Sequence, residues 1–169
     1  PSWLRSKAGI IPNVFFAPLD DILPAAQDKS SLLFVGSLDH FPNMEGLKWF
    51  LKDVWPGVKK TCPQLKLTVV GKGNFDAPAV LASLGGPRDV EVFVNVPDVR
   101  PYYRDCFASI VPLLNGSGTR LKILESAAYG RPVISTAKGM EGLDFVDGKD
   151  ILLFKNAVDE WPGIFSPHE

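Results

Sequence analysis

The chain has 169 residues, 46% of them hydrophobic and 22% charged, with a formal net charge of −1. That length suits one domain of roughly 100–200 residues, and the composition excludes a disordered, coiled-coil or low-complexity chain. The near-neutral charge gives no broad attraction to nucleic acid or to anionic membranes.

Residues 1–30 read as an interdomain linker or edge segment. Pro12, Pro18 and Pro24 exclude a long helix or a central strand there, because proline lacks the N–H and fixes φ. PNVFFAP offers Phe15 and Phe16 for packing. No apolar h-region follows the charges of PSWLRSKAG, so the start is not a signal peptide. With no initial Met, the chain is expected to be a piece of a longer one.

Residues 31–169 read as one domain. LLFVG, ending at Gly36, has the look of a strand buried on both faces. Asn43 then stands where a helix cap is expected. Met44, Leu47, Phe50, Leu51, Val54 and Val58 recur at helical spacing, and Pro56 is expected to kink or end that helix near Lys60. LKLTVVG predicts a second strand, APAVLASLGG a short helix stopped by Gly85-Gly86, and DVEVFVNV a third strand. DVRPYYRDC predicts a short helix capped by Asp98, and FASIVPLL a fourth strand. GTRLKILESAAYG predicts a helix from about Thr119, capped by Gly130; RPVIST and KDILLF predict the fifth and sixth strands.

Strands alternating with helices predict an α/β domain. Its mostly parallel, doubly wound, six-stranded Rossmann-like sheet would carry helices on both faces. Such sheets bind ligands at the carboxyl ends of their strands, near the point where strand order reverses.

The loop after the fourth strand is the most informative. Asn115-Gly116-Ser117-Gly118 leads into a helix with Arg120 and Lys122 in its first turn. Glycines let backbone approach an anion, and a helix N-terminus offers N–H groups and a positive dipole end. Two cations at that end are unfavourable unless an anion compensates them. The alternative is a plain strand–turn–helix with solvated basic residues. Glu125 is three residues after Lys122. It reads either as an ordinary surface partner of Lys122 or as a carboxylate accepting from paired hydroxyls.

The rest of the chain offers less. Gly71 and Gly73 after the second strand invite a dinucleotide reading, but Asp76 replaces the third glycine, a lone GxG is a weak signal, and a tight turn is the better account of the pair. Tyr102 and Tyr103 read as helix packing, and His40 as a structural loop residue. Two cysteines, Cys62 and Cys106, make no metal or redox spacing, and two histidines exclude a multi-histidine metal site. Reduced thiols suit a cytosolic compartment. No apolar run approaches the ~20 residues of a membrane span, and no GxSxG elbow supports a serine nucleophile.

LLFVGSLDHFPNMEGLKWFL, LKLTVVGKG, NVPDVRPYY and above all GSGTRLKILESAAYGRPVISTAKGMEGL resemble the nucleotide-sugar-binding half of retaining GT-B glycosyltransferases of the "group 1", family-four type. The resemblance runs from about Pro12 to Phe154. It implies one half of a GT-B fold: a donor domain that lacks the N-terminal acceptor domain as its partner and is truncated at the C-terminus. The implied reaction transfers a sugar from a nucleotide diphosphate sugar to an acceptor hydroxyl with retention, in polysaccharide or glycolipid synthesis. It implies no metal and no other cofactor, and donor binding without turnover by the isolated domain. The implied location is cytoplasmic, peripheral at the inner membrane face through the parent enzyme.

Roles carry over by matching position. Glu125 resembles the second glutamate of the E-x7-E motif, a clamp on ribose hydroxyls. Asn115, Gly116, Gly118 and Thr119 fall in the turn whose amides hold the diphosphate. Gly36 and Ser37 border the phosphates, Gly71 joins the donor site, and Val96 borders the base. Two positions depart from the pattern: Ser117 replaces the first glutamate, and Ser37 replaces an arginine that neutralises the leaving group. The charge is then expected from Arg120 or Lys122. They stand about 200° apart on a helix, so one of them faces the cleft, and Arg120, nearer the N-terminus, is the choice. Competing readings are a non-catalytic interaction module of the same fold and an NAD-dependent oxidoreductase domain.

Overall fold

The computed structural model describes residues 30–116 and 118–154. Residues 1–29 of the expected linker, Ser117 and the segment after Phe154 lie outside the described residues. Short β-branched and leucine-rich runs form β1 (Ser31–Ser37), β2 (Lys66–Lys72), β3 (Val90–Val94), β4 (Ala108–Val111), β5 (Val133–Ser135) and β6 (Leu152–Leu153). All pairings are parallel, in the order β3-β2-β1-β4-β5-β6. Parallel neighbours need crossovers, and these carry α1 (Phe41–Trp49), α2 (Trp55–Thr61), α3 (Ala77–Ser83), α4 (Arg100–Asp105), α5 (Leu121–Ala128) and α6 (Ala137–Met140).

Alternate strand residues face opposite layers, as the two-residue period requires. Leu32, Phe34, Leu67, Val69, Ile110 and Ile134 pack with α1, α2 and α3. On the other face, Leu33 and Val70 pack with Tyr103, Cys106 and Tyr129, while Val111 and Val133 pack with Ile123. The sheet is therefore doubly wound, as expected. Strand order reverses at β1: the chain runs outward to β2 and β3, then returns to the other side of β1 for β4.

The expected long helix is interrupted. A π-helical turn at Phe50–Val54 separates α1 from α2. Pro56 explains it: its ring and missing N–H disrupt the turn before it but are tolerated in the first turn of α2.

Three local expectations are corrected. Asn43 does not cap α1; that position is His40, whose carbonyl accepts from the Asn43 and Met44 amides. Asp98 precedes the α4 cap, Val99, by one residue, yet its carboxylate still accepts from the Arg100 amide at 3.0 Å. The α5 helix starts at Leu121 rather than Thr119, with Arg120 at its cap in a non-helical conformation, φ −84 and ψ 47. Gly130 adopts φ +71, as a residue just past a helix end commonly does. Asp76, the residue that spoils the glycine fingerprint, caps α3 by accepting from the Ala79 amide at 2.7 Å. The loop it belongs to is a strand end leading into a helix cap.

Candidate functional site

A cavity of about 410 Å³ opens at the carboxyl ends of β1, β2 and β3. Val35, Gly36 and Ser37 come from β1, Val70, Gly71 and Lys72 from β2, and Asn95, Val96 and Val99 from the loop after β3. Four residues named from the sequence (Gly36, Ser37, Gly71 and Val96) thus meet in one pocket. Its floor belongs to the α4–α5 side of the core, since Val35, Val70, Val96 and Val99 pack with Tyr103. Asn95 shapes the rim. It takes φ +55, and its side-chain amide donates to the Gly73 carbonyl at 2.8 Å while accepting from the Gly73 amide at 3.1 Å. Gly71 serves packing as well: a Cβ there would collide with the Leu38 side chain.

The β4–α5 connection flanks the pocket across β1. Gly116 and Gly118 have φ +109 and +130, values that side chains other than glycine rarely adopt. At Gly118 there is open space around an added Cβ, so the requirement is conformational, not steric. Asn115 donates to Glu45 Oε2 at 3.1 Å, tying the turn to α1, and Thr119 is exposed.

Both expected cations point inward, but to different places. Arg120 is 6% exposed, and its Nη2 donates to Glu141 Oε2 at 3.2 Å and to the Gly116 carbonyl at 3.4 Å. It braces the glycine turn. Lys122 Nζ instead reaches β1: it donates to Asn43 Oδ1 at 2.6 Å and lies 5.1 Å from the centroid of the Phe34 ring. A Cβ on Gly36 would sit 3.2 Å from that ammonium. The cation beside Gly36 is therefore Lys122, and the expected Arg120 is turned to the glycine turn instead. The angular argument failed because Arg120 lies outside the helix. Burial first, then the like charge of Arg120, pulls Lys122 down to about 8.

Glu125 is not a partner of Lys122. The buried Tyr103 hydroxyl donates to Glu125 Oε2 at 3.1 Å. Burial raises the Glu125 carboxyl above its ordinary range, with the Tyr103 bond acting in the opposite sense. Burial and the Glu125 charge in turn push the Tyr103 phenol up, so it stays a donor. Tyr103 packs against Tyr129 with ring centroids 4.8 Å apart and belongs to the cluster beneath the pocket floor. The sequence reading favoured helix packing for Tyr103 and missed this bond. The signal available was a tyrosine in a helix start on the same sheet face as a carboxylate.

The pocket and the Lys122 ammonium beside Gly36 lie where strand order reverses. A "Glycosyl transferases group 1" family profile matches residues 29–161. The chain belongs to this family. A relative, an uncharacterized 44.6 kDa protein in the cps region of Klebsiella pneumoniae, is 30% identical over 133 residues. The match takes in 76% of this chain but 34% of that protein, so this chain spans about a third of the relative.

Solved structures share the fold. HepE of Anabaena, in complex with UDP and glucose, aligns at TM-score 0.60 and 12% identity over 90% of this chain and 45% of that one. AviGT4, a glycosyltransferase involved in avilamycin A biosynthesis, aligns at TM-score 0.59 and 17% identity over 96% and 50%. TarM aligns at TM-score 0.55 and 15% identity over 85% and 29%. The architecture of this chain is that of a Rossmann-like half of GT-B. Among its described residues no helix is long and apolar enough to cross a membrane, and no cluster of three His, Cys, Asp or Glu side chains could hold a metal ion.

Proposed function

We propose that this chain is the nucleotide-sugar-binding domain of a retaining glycosyltransferase acting in polysaccharide or glycolipid synthesis. One observation carries the reading. The pocket at the strand ends is bordered by Gly36, beside which the Lys122 ammonium is held, and its floor valines pack with Tyr103, whose hydroxyl donates to Glu125. The base would lie over Val35, Val70 and Val96 against backbone polar groups, in a cavity within the roughly 300–1,000 Å³ typical of ligand sites. Glu125 would accept from the two ribose hydroxyls, a charge-assisted pairing. The amides around Gly116, Gly118 and Thr119 and the Lys122 ammonium would face the diphosphate.

Departure of the nucleoside diphosphate places negative charge on its terminal phosphate. Preorganised N–H donors and one ammonium stabilise that charge most where it develops, and the reading requires no metal. Ser117, where the pattern has a glutamate, removes one carboxylate from the sugar side. Acceptor contacts would come from an N-terminal acceptor domain, so the chain alone is expected to bind donor without turnover.

Calorimetric titration with UDP, GDP, ADP and NAD tests the reading. UDP is the first choice because the Anabaena relative was solved with it. One nucleoside diphosphate should bind, and Glu125→Ala should weaken it at least about tenfold, the loss of one charge-assisted bond of ~1.5 kcal/mol. Preference for NAD, or binding indifferent to Glu125→Ala, would overturn it.

A further inference from the structure

We infer that Asn43 is a positioning residue that holds the Lys122 ammonium beside Gly36 to meet the diphosphate; the inference rests on the donor-domain reading above. Asn43 stands in the first turn of α1, where its backbone would suit many residues, yet it is buried, at 6% exposure. Its side chain works across elements. Nδ2 donates to the Ser37 carbonyl at 2.7 Å, and Oδ1 accepts from Lys122 Nζ at 2.6 Å. A carboxamide can do both; an ionised carboxylate cannot donate to Ser37, and a leucine can do neither. Gly36 keeps the space for this pair, since a Cβ there would approach Asn43 Nδ2 to 3.0 Å and Lys122 Nζ to 3.2 Å.

The choice of partner argues for a functional role. A buried lysine held only for structure is normally matched by a carboxylate. Here the partner is neutral. Of the charged groups around Lys122, Arg120 is a like charge, Glu125 is turned to Tyr103, and Glu45 on α1 accepts from Asn115. The ammonium is thus held by a dipole and the Phe34 ring face, with two of its three N–H donors left for other acceptors. It loses its proton more readily than an ordinary lysine, with a midpoint of about 8. A diphosphate supplies the opposite charge and strengthens the hold on that proton. Asn43 fixes the direction of the ammonium without neutralising it.

The test follows the Lys122 ammonium by lysine-selective NMR against pH in the 169-residue chain, assigned by its loss in Lys122→Met. Inorganic pyrophosphate should strengthen its hold on the proton at least about tenfold. Asn43→Asp should do the same without ligand and weaken pyrophosphate binding at least about tenfold, because its carboxylate competes for the ammonium and repels the anion. A Lys122 signal that ignores pyrophosphate overturns the inference. So does an Asn43→Asp chain that melts earlier while its Lys122 midpoint stays in place, the result of a merely structural Asn43. The wild-type titration needs no Asn43 variant, so poor folding of Asn43→Asp leaves the inference exposed to refutation. A nucleoside diphosphate that binds without moving Lys122 overturns this inference alone. Pyrophosphate that moves Lys122, with no nucleoside diphosphate binding more tightly, overturns the nucleotide reading alone.

Discussion

The Tyr103 hydroxyl donates to Glu125 Oε2 at 3.1 Å, joining α4 to α5 beneath the pocket floor. Tyr103→Phe deletes the donor and little else. A hydrogen bond to a charged group contributes about 1.5–3 kcal/mol when buried, and the half-buried Glu125 places this one at the low end. Thermal unfolding should show a loss of about 1–2 kcal/mol. Nucleoside diphosphate affinity should fall by several fold, since Glu125 would lose its orientation. Unchanged affinity in a folded variant would mean that Glu125 needs no such support.

Glu125→Gln separates stability from binding. Burial raises the folded-state pKa of Glu125. The folded chain therefore holds this proton more tightly than the unfolded chain, and stability falls as pH rises from the unfolded value through the folded one. Glutamine keeps the acceptor for Tyr103 and removes the ionisation. The variant should melt above wild type at pH 7, lose that advantage below about pH 4, and bind nucleoside diphosphate at least about tenfold more weakly, from loss of charge assistance. Melting curves across pH with parallel calorimetry provide the check.

Lys122 has the opposite signature. Its folded value, about 8, lies below that of an unfolded lysine. The penalty for charging it is fully present below pH 8 and is relieved as pH rises toward ~10.4, so stability rises across that window. Its partial solvent contact lowers the full effect to on the order of 1–2 kcal/mol. Denaturant unfolding of wild type should gain that much between pH 7.5 and 10 relative to Lys122→Met, on the same estimate. A flat difference would show that the ammonium is better solvated than its surroundings indicate.

Gly46→Ala sets two effects against each other. In a helix, alanine gains about 1 kcal/mol over glycine. Here a Cβ would collide with the Pro112 carbonyl oxygen, where α1 passes closest to the end of β4. Backbone cannot rotate away as a side-chain tip can. Overpacking of about 1–3 kcal/mol, occasionally more, should win, and the variant should be destabilised by about 1–2 kcal/mol. It should also weaken pyrophosphate binding, because the displaced loop is the one that carries Gly116.

The strands and most helices were legible for physical reasons. Runs such as LLFVG and LKLTVVG can only be buried on both faces, and α5 shows its apolar spacing together with a glycine stop at Gly130. The cleft position followed from those elements, and Gly36, Ser37, Gly71 and Val96 did converge. Hydrophobic periodicity does not report where a polar tip ends. Asn43 looked like a cap because asparagine before a helix usually is one, and only packing against β1 and α5 turned its amide to Ser37 and Lys122.

By itself the sequence determined the class of fold, the run of alternating elements and the glycine-rich turn with its basic flank. Those depend on local propensity and burial, which short windows carry. The tertiary structure decided which strands became neighbours, that Lys122 and not Arg120 reaches Gly36, and that Tyr103 holds Glu125. Each depends on contacts between residues far apart in the chain, such as Asn43 and Lys122, separated by 79 positions. Directions of this kind arise only when β1, β4 and α5 come together.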